Sequence, residues 1–233
     1  MASLGAIRRR LRELGNAEAA EHAQRFFKTG KGEYGEGDRF IGVRMPVIRA
    51  LAKELRDIPI ARCSALLRDP IHEARLLALI ILTLQYKHGT KEMQKQIYTE
   101  YLASTTYVNN WDLVDASAHL ILGPYLESRP RKPLYQLVRS KNLWERRIAI
   151  MATFHFIRGE DFSDTLALAE QVLADPEDLI HKVSGWMLRE VGNRDLEALR
   201  GFLEQHVQAM PRTMLRYAIE KLPKPERQRW LKA

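Results

Sequence analysis

The sequence predicts an all-α protein built from helical repeats. No segment alternates apolar and polar residues with a period of two, whereas apolar residues recur at helical spacing along the chain. Proline and glycine punctuate these segments regularly, and one sequence frame can be laid over the chain several times. In that frame an anchor position falls at Arg75, Trp111, Arg147, Lys182 and Arg216, with spacings of 36, 36, 35 and 34 residues.

A period of this length with two helices per unit is typical of a HEAT-like solenoid, in which each repeat buries its apolar face against its neighbours. We expect a single domain over residues 1–233. It would comprise N-terminal helices and a glycine-rich connection over about residues 1–58, then repeats over about residues 59–233. Since the second helix of each repeat should line a concave surface and four of the five anchor residues are cationic, the frame predicts a basic groove.

The N-terminal region precedes the repeats. Its pattern predicts two amphipathic helices between residues 6 and 27, broken at Gly15 and Asn16. The glycine-rich segment 29–38 is interpreted as an exposed connection, because no strand precedes it and no Gly-Lys-Ser/Thr follows it. Pro46 is suited to begin the next helix.

The composition favours a polyanionic partner. The chain has 37 Lys and Arg against 29 Asp and Glu, a formal net charge of +8, so it should be attracted to nucleic acid. Its one cysteine, Cys63, permits no intramolecular disulfide, and no apolar run is long enough to span a bilayer. We therefore expect a cytoplasmic protein without membrane contact. The seven histidines lack metal-ligand spacing, so we expect neither a metal nor another cofactor, and the histidines should be surface or packing residues.

A short stretch in the middle of the chain is a candidate for chemistry. Asn109 or Asn110 is suited to cap a helix that begins at Trp111 and reaches about Leu126. In such a helix Trp111 and Asp115 lie on one face. An aromatic face beside a carboxylate suits a substrate that becomes cationic at carbon, such as a developing oxocarbenium ion. The same residues also fit a capped helix with a buried tryptophan.

The repeat frame adds two further candidates from later repeats. Arg147 occupies the anchor position itself, and Trp186 lies one helical turn beyond the anchor residue Lys182. Because equivalent frame positions should run along one groove, we expect both residues to converge there with Trp111 and Asp115.

With these positions identified, the sequence resembles the DNA alkylation repair glycosylases of the AlkD type, HEAT-like enzymes that excise positively charged alkylated purines. The resemblance covers the chain from about residue 20 to the end. Five motifs in order carry it: FIGVRMP at 40–46, WDLVD at 111–115, LWERRIAI at 143–150, KVSGWMLRE at 182–190 and LRYAIEK at 215–221.

The resemblance implies the roles of individual residues. Asp115 corresponds to the catalytic carboxylate, Trp111 and Trp186 to two sugar-facing tryptophans, and Arg147 to an active-site arginine, with Arg146 as an adjacent alternative. The frame and the motifs together give the expected DNA contacts, which are Arg44, Arg75, Arg146, Lys182, Arg189 and Arg216.

The implied function is hydrolysis of the N-glycosidic bond of cationic alkylpurines, of the 3-alkyladenine or 7-alkylguanine type, in duplex DNA during base excision repair. The resemblance further implies that the lesion stays stacked. Such a reaction needs no metal and no covalent intermediate, and a solenoid with a central groove gives no reason to expect more than a monomer. The alternative is a non-catalytic DNA-binding solenoid that recognises damaged or branched DNA. A protein-binding scaffold is disfavoured by the cationic anchor positions.

Overall fold

The computed structural model describes residues 3–233, and within them the chain is all-α. Sixteen α-helices and one short 3-10 helix make up its regular structure, with a single isolated bridge between Arg39 and Ile71. The predicted fold class is confirmed. The residue contacts divide the chain into two compact units, Met1–Ile121 and Leu122–Ala233. The expectation of one domain, divided near residue 58, remains a prediction.

The first unit is organised around one long buried helix, α5. Its elements are α1 (Leu4–Glu13), α2 (Ala17–Phe26), α3 (Met45–Glu54), α4 (Ile60–Leu67), α5 (His72–His88), α6 (Lys91–Ala103), a 3-10 helix (Thr105–Tyr107), α7 (Trp111–Asp115) and the start of α8 (Ala118–Leu126). Helix α5 packs against α1, α3, α4, α6 and α7. The predicted break at Gly15 and Asn16 and the predicted helix start at Pro46 are both confirmed.

The expectation of one continuous helix from Trp111 to Leu126 is wrong. Helix α7 ends at Asp115 and α8 begins at Ala118. The buried Ser117 accounts for the break, since its Oγ donates to the Leu113 carbonyl at 2.6 Å and forms a 3.0 Å hydrogen bond with the Tyr101 hydroxyl. Serine side chains that bond back to the preceding turn commonly bend helices. Trp111 and Asp115 therefore lie at the two ends of a five-residue helix.

The second unit contains the remaining repeats. Its elements after α8 are α9 (Lys132–Leu137), α10 (Leu143–Ala152), α11 (Phe154–Arg158), α12 (Ser163–Gln171), α13 (Asp178–Gly192), α14 (Leu196–His206), α15 (Arg212–Ala218) and α16 (Lys224–Lys232). Helix α10 packs against α9, α11, α12 and α13, and α13 also packs against α14 and α15. Leu188, Leu203, Met214 and Leu215 are fully buried in the core of the later helices.

The repeat frame is visible in the later helices. Arg147, Lys182 and Arg216 are each the fifth residue of their helix, in α10, α13 and α15. In the first unit the frame is less regular, because Arg75 is the fourth residue of α5 and Trp111 the first of α7. Each of α5, α10 and α13 packs on the helix that precedes it, α4, α9 and α12 respectively. The predicted helical repeat is thereby confirmed. No helix within residues 3–233 combines the length and the apolar character needed to cross a bilayer.

Gly185 allows α13 and α15 to approach closely. A Cβ atom at this position would lie 2.4 Å from the Met214 carbonyl oxygen and 2.5 Å from Tyr217 Cβ. We predict that Gly185→Ala lowers the free energy of unfolding by about 1 to 3 kcal/mol through overpacking. Gly201→Ala, where nothing lies within 4 Å, is the matched control and should stabilise α14 by about 0.5 to 1 kcal/mol. Urea unfolding measures both, and equal effects would contradict the assigned packing.

Candidate active site

Helix α7 presents the two residues with candidate chemistry. The side-chain oxygen of Asn110 accepts a hydrogen bond from the Trp111 backbone N–H at 2.8 Å, which confirms the predicted cap. Trp111 and Asp115 are both half-buried. Burial raises the pKa of Tyr101, and the nearby Asp115 charge acts in the same direction. The Asp115 carboxylate therefore lies close to a hydroxyl group that stays protonated.

A buried histidine ties α7 to the rest of the first unit. His72, the first residue of α5, has Nδ1 at 2.8 Å from Asp38 Oδ2 and Nε2 at 2.8 Å from Asp112 Oδ2. Ionised carboxylates only accept hydrogen bonds, so both ring nitrogens must donate and the ring is an imidazolium. Its charge thereby links the glycine-rich connection, α5 and α7.

The pKa values of this network follow from its geometry. Burial lowers the pKa of His72, but the charges and hydrogen bonds of Asp112 and Asp38 outweigh burial and raise it from 6.5 to about 9. Burial raises the pKa of Asp38, but His72 and Arg75 outweigh burial and lower it from 3.8 to about 2. Both groups are therefore charged at neutral pH.

Arg75 belongs to this network and is not an exposed cation. Its Nη2 lies 2.6 Å from Asp38 Oδ1, its Nη1 donates to the Asp69 carbonyl at 3.0 Å, and the residue is 5% exposed. Asn110 Nδ2 also donates to Asp38, at 3.4 Å. The expectation that Arg75 lines an open groove is wrong, because a carboxylate 37 residues earlier in the chain draws it into the interior.

The FIGVRMP motif is held by a second buried carboxylate. Glu73 accepts hydrogen bonds from the backbone N–H groups of Ile41, Gly42 and Val43, at 2.7 to 3.3 Å. Gly42 has a φ of +79°, and a Cβ there would lie 2.1 Å from the Asn16 carbonyl oxygen. Only glycine fits this position, so the motif has a structural function in shaping the chain before α3.

Stacked rings cover the network and reach Trp111. Phe27 stacks on Trp111 with ring centroids 5.0 Å apart, and on Phe40 at 4.9 Å. Phe40 stacks in turn on the His72 ring at 4.3 Å. Phe26 contacts Trp111 edge-on at 5.9 Å. Trp111 is thus fixed by aromatic packing as well as by its helix.

A cavity of about 710 Å³ opens beside this stack, within the first unit. Its walls are aromatic, apolar and carboxylate side chains from α2, α5, α7 and the FIGVRMP segment. The lining includes Glu18, His22, Phe26, Phe27, Phe40, Arg44, His72, Trp111 and Asp112. Trp111 therefore lines the cavity and belongs to the same short helix as Asp115.

The second unit contains Arg146 and Arg147, and both already have protein partners. Arg147 is 5% exposed and its Nη1 donates to the Leu179 carbonyl at 2.8 Å. Arg146 Nε lies 2.6 Å from Asp175 Oδ2, and its Nη1 donates to the carbonyls of Ser140 and Lys141. The anchor frame therefore does not predict exposure, since Arg147 occupies an anchor position and is buried.

The other predicted residues of the second unit lie on α13. Trp186 is half-buried, donates from Nε1 to Glu190 at 3.3 Å and lies 6.2 Å from the Phe154 ring. Lys182 pairs with Asp178 at 2.7 Å, and Arg189 pairs with Glu220. Arg189 would have to exchange its carboxylate partner to reach a phosphate, whereas the Lys182 ammonium has three N–H donors and its side chain is 41% exposed.

Arg44 and Arg216 are the predicted DNA contacts with exposed side chains. Arg44 precedes α3 and borders the cavity of the first unit, and Arg216 lies on α15 of the second unit. Within residues 3–233 neither forms an ion pair with a carboxylate. Each is therefore available to a phosphate without losing an existing bond.

The sequence pattern does not reveal the residues that support α7. The glycine-rich segment predicts an exposed connection that includes Asp38, and the histidine spacing predicts a surface or packing role for His72. In the structure both side chains are buried and paired with each other. A local signal is present: His72 and Glu73 follow Asp69-Pro70-Ile71, so polar residues open a helix whose next ten positions are mostly apolar. Within residues 3–233 no three His, Cys, Asp or Glu side chains are grouped as metal ligands.

Comparisons with known proteins identify the family and the fold. The family model described as DNA alkylation repair enzyme matches residues 7–222. The chain belongs to this DNA alkylation repair family. A solved structure described as a predicted DNA alkylation repair enzyme from Enterococcus faecalis superimposes with a TM-score of 0.70 at 18% identity, covering 90% of this chain and 97% of the other. At that identity the likeness establishes the fold alone. No curated protein is a significant match.

For this family member we predict that His72 carries a pH-dependent part of the stability. His72→Asn should lower the free energy of unfolding by about 3 to 5 kcal/mol, because it removes the cation that pairs with Asp112 and one of the two cations that pair with the buried Asp38. Since the pKa of His72 is raised from 6.5 to about 9, the stabilisation is complete below pH 6.5 and is lost as the pH rises through about 9.

Chemical unfolding of wild type and variant across this pH range measures the effect. His88→Asn, an exposed residue in the last turn of the same helix, is the control and should show neither the loss nor the pH dependence. A difference between wild type and His72→Asn that stayed constant from neutral to alkaline pH would contradict the imidazolium assignment.

Proposed function

We propose that this protein is a DNA glycosylase that hydrolyses the N-glycosidic bond of cationic alkylated purines, of the 3-alkyladenine or 7-alkylguanine type, in duplex DNA. The supporting observation is that Trp111 and Asp115 share one five-residue helix, which a buried ion network and a ring stack fix in place. Membership of the DNA alkylation repair family supports the same reading.

The proposed reaction uses charge development at the sugar. When the bond between C1′ and the purine breaks, its electron pair passes to the cationic purine, which leaves as a neutral base. The sugar becomes an oxocarbenium ion that the Asp115 carboxylate stabilises and the Trp111 ring flanks. Asp115 also orients the attacking water, which forms the new bond to C1′ and loses its proton. The products are a free base and an abasic site, as in base excision repair.

The approach to DNA is also part of the proposal. The lesion stays stacked, so discrimination rests on the leaving-group quality of a cationic base and not on a base-sized pocket. Trp186 is proposed as a second sugar contact and Arg147 as a phosphate contact, on the strength of the motif resemblance. The buried Arg147 would have to give up its bond to the Leu179 carbonyl to do so. The exposed Arg44 and Arg216 contact phosphates directly, and the Lys182 ammonium can add a phosphate to its Asp178 partner. Arg146 and Arg189 would have to exchange a carboxylate for a phosphate. The protein would act as a monomer.

We predict that Asp115→Asn lowers the single-turnover rate of base release by about a hundredfold to a thousandfold, the usual effect of removing a preorganised charge. Binding to undamaged duplex should remain nearly unchanged. The measurement is release of free base from alkylated duplex DNA with metal ions chelated. Asp57→Asn is the control, because its side chain is 88% exposed in the same unit.

Two outcomes would contradict the proposal. Release by Asp115→Asn at the wild-type rate would remove Asp115 from the chemistry. Absence of release by the wild type, with duplex binding retained, would favour the non-catalytic DNA-binding alternative.

A further inference from the structure

We propose that the cavity of the first unit is a binding site for a planar, positively charged heteroaromatic ring, such as an N-alkylated purine outside a base stack. The inference rests on the proposed function for the ligand chemistry. It concerns a cavity that shares Trp111 and Arg44 with the proposed reaction but whose lining does not include Asp115. With a stacked lesion, the chemistry at Asp115 needs no pocket.

The size and lining of the cavity suit such a ring. Its volume of about 710 Å³ falls within the range of small-molecule sites, roughly 300 to 1,000 Å³. The rings of Phe26, Phe27, Phe40 and Trp111 all border it. Aromatic faces attract cations and also stack on planar heterocycles. A planar heterocycle that carries a positive charge could make both kinds of contact.

The charges around the cavity favour a cation over an anion. Three carboxylates line it, those of Glu18, Glu73 and Asp112, and no lysine does. Asp112 is paired with His72, and Glu73 accepts three backbone N–H groups, so neither carboxylate lacks a partner. Glu18 makes no ion pair within residues 3–233. Arg44 can serve a phosphate or a ribose hydroxyl at the edge. The three carboxylates outnumber the two cations that line the cavity, Arg44 and the His72 imidazolium, so in a chain of net charge +8 this lining is net acidic and favours a cationic ligand.

The exposure of Phe26 points to an occupant as well. Its side chain is 57% exposed, the largest exposed fraction among the big apolar residues described, although it lies at the end of α2 directly over the cavity. A planar ring inside the cavity would cover part of the Phe26 side chain. Without a ligand this apolar surface stays in contact with water, which costs free energy in proportion to its area.

The test is calorimetric titration of the whole protein with 7-methylguanosine, whose alkylated imidazole ring is cationic, and with guanosine. We expect 7-methylguanosine to bind about tenfold or more tightly than guanosine, the scale of one desolvated cation–π contact. Phe26→Ala should weaken binding at least about fivefold, whereas Leu120→Ala, an exposed apolar residue of the same unit outside the cavity, should not. Glu18→Gln should reduce the preference for the charged ring, with Glu21→Gln on the same helix as its control.

A single-stranded oligonucleotide containing 7-methylguanine separates two sources of the ligand. Binding that depends on Phe26 would show that the ring reaches the cavity within a DNA strand, and binding of the nucleoside alone would assign the cavity to monomers. Equal affinity for both nucleosides, binding of neither, or wild-type affinity in Phe26→Ala would overturn the proposal.

Base release from alkylated duplex, measured on the same preparation, keeps the two proposals distinguishable. Release without nucleoside binding would overturn the cavity assignment and leave the glycosylase intact. Nucleoside binding without base release would support the cavity assignment and contradict the glycosylase.

Discussion

The position of the candidate catalytic helix depends on one buried cation between two carboxylates. Helix α7 has only five residues, too few to be stable through its own hydrogen bonds, so tertiary contacts must fix it. His72 supplies these contacts by donating to Asp38 on one side and to Asp112 of α7 on the other. Burying charges is costly unless they are paired, and Asp38 also accepts hydrogen bonds from Arg75, Asn110 and the Arg39 backbone N–H.

This arrangement separates the groups that support the site from those that could act in it. Asp112 and Asp115 are three residues apart, yet Asp112 is committed to His72 while Asp115 lies at the other end of α7. The ring stack has a similar division, because Phe27 and Phe40 cover the ion network and Trp111 continues the stack to the cavity. Asp112 thus anchors the helix that carries Asp115, and Phe27 holds the Trp111 ring.

Much of the fold could be predicted from the sequence, since helical periodicity, caps and breakers act over a few residues. The all-α class, the repeat frame and the Asn110 cap were accessible in this way. The burial of Arg75 and Arg147 was not, because their partners are set by tertiary packing: Asp38 lies 37 residues from Arg75 and the Leu179 carbonyl 32 residues from Arg147. The position of a cationic residue in the repeat frame does not show whether a distant carboxylate or carbonyl will contact it in the folded interior. The break between α7 and α8 escaped prediction for the same reason, because it depends on the contact between Ser117 and Tyr101.

Binding of abasic-site analogues tests, without turnover, the proposal that Asp115 stabilises positive charge at the sugar. Duplexes carrying either a cationic pyrrolidine or a neutral tetrahydrofuran in place of the damaged sugar differ in charge at the reacting centre. We expect the wild type to bind the cationic analogue about a hundredfold more tightly, the lower end for transition-state analogues, and Asp115→Asn to lose most of this preference. An equal preference in both proteins would contradict a role of Asp115 in stabilising the oxocarbenium ion.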